Sequence, residues 1–107
     1  MPKFMYQARY TVEGVRGLLK ETASGRREAV KTAITALGGK VESLYYCLGS
    51  DDVVIIMDMP DVTAAAGLAM TVAASGMIQG RITALLTVEE ADKAMGVKAT
   101  YRPPGQK

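Results

Sequence analysis

Two apolar runs, residues 41–48 and 53–57, flank the polar and flexible stretch Gly49-Ser50-Asp51-Asp52, and together they predict a β-hairpin at the middle of the chain. Residues 3–10 alternate strictly, with Phe4, Tyr6, Ala8 and Tyr10 on one face and Met5, Gln7 and Arg9 on the other, the period of a strand. Thr11 offers a side-chain oxygen to cap a helix starting at Val12, and Glu13 adds favourable charge to its first turn. Gly14, Gly17 and Gly25 weaken that helix. It is therefore expected to reach about Lys20, break near Ser24-Gly25, and resume over residues 26–37. In this second piece Ala29, Val30, Ala33, Ile34 and Leu37 share one face, and Gly38-Gly39 ends it.

Beyond the hairpin, Pro60 closes the second strand because it cannot donate to a ladder, and Asp61 is a good N-cap for the next helix. That helix, residues 62 to about 75, is rich in alanine, which predicts close approach and the tightest packing of any helix here. Gly76 ends it. Residues 82–88 alternate as a last strand, residues 89–95 add a short helical turn, and the basic, Pro-containing segment 96–107 reads as a flexible tail to a domain spanning 1–95.

Two strand-helix-strand halves around a hairpin define an α+β fold of the ferredoxin-like βαββαβ kind, a four-stranded antiparallel sheet with both helices on one face. The first and third strands are then central. The strands are apolar on both sides, with Ile55, Met57 and Met59 set against Val54 and Ile56, so the uncovered face is expected to meet a second subunit. A homodimer, or a larger assembly of dimers, follows as the expectation.

Composition limits the chemistry more than it directs it. A chain of 107 residues suits one domain, and with no Trp its interior must be built from aliphatic residues and seven Met. The net charge of +2 hides a gradient. Residues 1–40 hold eight Lys or Arg against three Asp or Glu, residues 41–96 hold two against eight, and residues 97–107 hold three against none. Such asymmetry serves either solvation or head-to-tail attraction between subunits. Glu13, Glu21 and Glu28 interrupt the basic residues, so no nucleic-acid partner is expected. The Ala-rich run 62–80 is too interrupted to span a membrane, and no membrane partner is expected. With a single cysteine, Cys47, and no secretory signal, a cytoplasmic location is expected.

The run LGSDDVVIIMDMPD before an Ala-rich helix, with GGKVESLYYCLG upstream, resembles the GYD domain family over roughly residues 3–90. The family's pattern is a Gly and an Asp separated by two positions at the hairpin. Gly49 and Asp52 keep those places, while Asp51 stands at the tyrosine position. The resemblance implies a dimeric α/β barrel and brings no established reaction with it.

The chain has no histidine, which removes His-ligated haem, zinc and copper, the Ser-His-Asp triad and the Cys-His pair. No cofactor and no metal is expected. The polar residues that remain as a candidate ligand-binding set are Gln7 and Arg9 on the first strand, Tyr45 on the second, Asp52 at the turn and Arg81 on the fourth. On a central strand Arg9 needs a carboxylate, either a ligand's, that of Asp52, Asp58 or Glu42, or one from a second subunit. Asp51 and Asp52 read as turn residues rather than a proton-sharing pair, because neighbours on a strand point to opposite faces. Met57, Met59 and Cys47 read as core, and Tyr6, Tyr10, Tyr45 and Tyr46 as interface packing or as ligand-stacking groups. Three functions are compatible with this set: small-molecule binding in a cavity at the sheet or dimer interface, a cofactor-free oxygenase or isomerase, and a structural or regulatory assembly protein.

Overall fold

A computed structural model describes residues 1–106. The elements run β1 (Lys3–Tyr10), α1 (Val12–Ala36), β2 (Lys40–Tyr46), β3 (Val53–Asp58), α2 (Val62–Ala74), β4 (Ile78–Leu85) and α3 (Val88–Met95). The strands form one sheet in the order β2-β3-β1-β4, antiparallel throughout, so β1 and β3 are central. This is the ferredoxin-like α+β arrangement.

Strict alternation on the central strands separates the two faces. Phe4, Tyr6 and Ala8 lie opposite Met57, Ile55 and Val53, and all six are buried beneath the helices with Ile34 of α1, Ala65 of α2 and Met59. Met5 and Gln7 pair with Ile56 and Val54 on the opposite, open face and are half-buried. Met57 and Met59 are thus core, although Met59 lies just past the end of β3.

Several boundaries depart from the sequence reading. α1 breaks at Thr22 rather than at Ser24-Gly25. Thr22 adopts φ 75° and ψ 160°, a region that costs a residue with a Cβ about 1–3 kcal/mol, and its hydroxyl accepts from the Gly25 N–H at 3.2 Å. One residue thus stops the first helical piece and caps the second. β2 ends at Tyr46, and Cys47 is half-buried in the loop, its N–H donating to the Asp52 carbonyl at 2.7 Å.

β4 begins four residues earlier than alternation alone suggests and runs through Gly80. A Cβ at Gly80 would sit 2.5 Å from the Tyr6 ring carbon and hydroxyl and 2.8 Å from the Ala8 Cβ, so this glycine makes room for a core aromatic instead of ending a strand. Leu86 and Val88, expected in that strand, are exposed. α2 is also not the tightly packed helix that its alanines suggest, since only Ala65 is fully buried. No helix among the described residues is long and apolar enough to cross a membrane.

Candidate functional site

On the open face, Tyr45, Val54, Gln7 and Arg81 form a single transverse row through the four strands. Three of the five residues predicted to bind a ligand are therefore neighbours in register. Arg81 donates to both carboxylate oxygens of Asp51, at 3.3 and 3.0 Å. Arg9 lies two pairs further along, opposite Gln79. It is exposed and pairs with none of Asp52, Asp58 and Glu42, because the end of β1 is open to water on this side. Lys3 takes two of them instead, reaching Glu42 at 2.9 Å and Asp58 at 2.8 Å, and both hydrogen bonds raise the pKa of its ammonium.

Asp52 stands apart from that row. One carboxylate oxygen accepts from the Tyr10 N–H at 2.8 Å and its own N–H donates to the Ala8 carbonyl at 2.8 Å. Asp52 therefore holds the hairpin loop against the end of the central strand. Gly49 supplies the loop's unusual backbone, at φ 149°.

The principal cavity lies on the other side of the sheet. A space of about 460 Å³ separates α1 and α2 from the core face, floored by Tyr6, Val53, Ile55, Met57 and Ile82. α1 lines it with Gly14, Gly17, Leu18 and Val30, and α2 with Ala65, Leu68, Ala69 and Val72. Glycines and alanines on both helices reach too little across the gap to fill it, and the turn in α1 at Thr22 carries its two halves along different directions. None of Gln7, Arg9, Tyr45, Asp52 or Arg81 lines this space, and Tyr45 alone borders a second hollow of about 260 Å³ beside Arg27.

The cavity's polar groups gather around Tyr10. Its phenol shares this corner with Tyr46, whose hydroxyl donates to the Ala23 carbonyl at 3.4 Å, just beyond the turn in α1. Arg26 and Glu21 form an ion pair at 3.5 Å beside them. Burial, aided by the Tyr46 contact, pushes the Tyr10 phenol up to about 12, and burial raises Tyr6 as well. Both remain protonated hydrogen-bond donors at neutral pH.

In the sequence, Tyr10 and Tyr46 stand only within a general group of tyrosines, and nothing local marks Glu21 or Arg26 as site residues. The available signal was the helix break between Lys20 and Arg26, which places two charged residues at a corner of the chain.

A ferredoxin-like α+β domain with an apolar chamber between helices and sheet is the class that this geometry defines. The GYD domain family model matches residues 4–95, and the chain belongs to that family. No curated protein matched the chain.

Proposed function

We propose that this protein binds a small, largely apolar molecule in the chamber between α1, α2 and the sheet. The supporting observation is the chamber itself, about 460 Å³ with an apolar floor and a polar corner at Tyr10, Tyr46 and Arg26. This volume falls within the range of drug-sized ligand sites, which combine apolar walls with a few placed hydrogen-bond groups. An aromatic body with one hydroxyl or carbonyl fits that division. Neither the chamber nor the hollow beside Arg27 brings Arg9, Tyr45 and Asp52 together, so neither supports the oxygenase or isomerase reading.

In the same proposal the open sheet face is the meeting surface for a second copy. Met5, Val54 and Ile56 form its half-buried apolar centre, and the Lys3 and Arg81 ion pairs frame it. A cytoplasmic location fits the single free thiol.

2-Naphthol fluorescence tests the chamber. Saturable binding by the full chain is expected, lost in Ala69→Phe, which fills the space, and weakened roughly two- to tenfold in Tyr10→Phe, the loss of one hydrogen bond. Undiminished binding in Ala69→Phe would place the ligand elsewhere.

A further inference from the structure

We propose that α3 docks in trans onto the first half of α1 in a second copy of the chain. It leaves the edge strand β4, and none of its residues is buried. The radius of gyration is 17.1 Å, whereas a compact chain of this length has about 13 Å, and the longest dimension is 59 Å. Yet α3 is a well-specified helix: Thr87 accepts from the Glu90 N–H, and the Glu90 side chain accepts from the Thr87 N–H. An amphipathic helix so firmly started, with no cover for its apolar side, fits a partner surface.

The same chain carries a matching surface. Val88, Ala91 and Met95 occupy positions i, i+3 and i+7 of α3, with Asp92 at i+4. Val12, Val15 and Leu19 occupy the same positions in α1, with Arg16 at i+4. These are opposite charges in equivalent places. Val12 and Leu19 are 69% and 77% exposed, Val88 and Met95 are 75% and 82% exposed, and neither Arg16 nor Asp92 has an ion-pair partner among the described residues. Packed antiparallel, the two stripes interlock and bring Arg16 to Asp92.

The two stripes are kept apart within one protomer. Register pairs Tyr10 with Ile78 and Lys3 with Leu85, so α3 departs from the end of the sheet opposite to the one where α1 begins. A second copy satisfies both surfaces, and a two-fold axis makes the exchange reciprocal. This inference needs a second copy and is independent of ligand binding in the chamber.

The test uses sedimentation velocity on the full chain across a dilution series. Arg16→Asp and Asp92→Arg should each weaken self-association about tenfold, since each disturbs two reciprocal contacts, and the double reversal should restore it. In a Cys47→Ser background, mixing Val12→Cys chains with Met95→Cys chains should give an intersubunit disulfide under mild oxidation. Dimers indifferent to both reversals, with no cross-link, would overturn the docking and leave a sheet-to-sheet dimer standing. Cross-linking only within a chain carrying both cysteines would show α3 folding back on its own body and would also overturn it.

Discussion

The two faces of the sheet are built from the same strands, yet they solve burial differently. Beneath the helices, Phe4, Tyr6, Ala8, Val53, Ile55 and Met57 are almost wholly removed from water. On the open face their alternating neighbours are only half-covered, and charged residues surround the apolar centre: Lys3 with Glu42 and Asp58 on one side, Arg81 with Asp51 on the other. The first face holds the protomer together, because close packing of apolar groups contributes most of a domain's stability. The second carries ion pairs that add little in water but restrict which surface can approach and in which register. Even the helix face is divided, filled around Phe4, Ala8 and Met59, which do not line the chamber, and hollow beside Tyr10.

A matched pair of truncations makes the difference measurable. Ile34 is 1% exposed, and Ile34→Ala should lower unfolding free energy by about 3 kcal/mol through lost transfer energy and a cavity. Ile56→Ala on the open face should cost about 1 kcal/mol at protein concentrations low enough to favour the protomer. Urea denaturation of both variants decides it. Equal losses under those conditions would remove the distinction between the faces, whereas a loss for Ile56→Ala that grows with protein concentration would mark the open face as an interface.

Gly80→Ala comes next. The added methyl would overlap the Tyr6 ring and the Ala8 side chain, and overpacking of this kind should cost about 2 kcal/mol. Because Tyr6 also floors the chamber, a displaced ring should change 2-naphthol binding as well as stability, so thermal unfolding and probe fluorescence should move together. A stability loss with binding unaltered would mean that the ring yields away from the chamber.

Asp52→Ala should cost about 1.5 kcal/mol, since it leaves the Tyr10 N–H without its charged acceptor. Asp52→Asn should recover much of that, because an amide oxygen still accepts. Chemical denaturation measures both. Neither change should alter probe binding, as Asp52 does not line the chamber, and a selective loss of binding would return Asp52 to the ligand site.

The elements readable from sequence were those set by local chemistry. β1 follows from unbroken alternation, α1 begins where Thr11 accepts from the Gly14 N–H at 3.1 Å, and α2 begins where Asp61 accepts from Ala64 at 2.8 Å. The misplaced boundaries depended on distant residues. Gly80 resembles a strand breaker until the Tyr6 ring above it is known, and Thr22 is an unremarkable helix residue until the turn places it at positive φ. The chamber was harder still. Its lining comes from both long helices and all four strands and consists mostly of residues that read as ordinary core. What makes them a site is the separation of α1 from α2, a tertiary property with no local periodicity. By contrast, the row formed by Tyr45, Gln7 and Arg81 was accessible because pairing register follows from alternation.

The smallest expected effect concerns the polar corner of the chamber. Tyr10 ionises near 10 in an unfolded chain and at about 12 in the folded protein, chiefly because burial disfavours the phenolate. Below pH 10 the phenol is neutral in both states and stability is unaffected. Between pH 10 and 12 the unfolded chain releases the proton first, so stability falls through that window, by about 1 kcal/mol once solvent screening of this half-buried group is allowed for. Tyr10→Phe should remove this component from the urea-unfolding profile, whereas Tyr45→Phe, on the open face, should leave it in place. Should the two variants flatten the profile equally, the sheltered corner beside the chamber would be no different from the open sheet in its access to water.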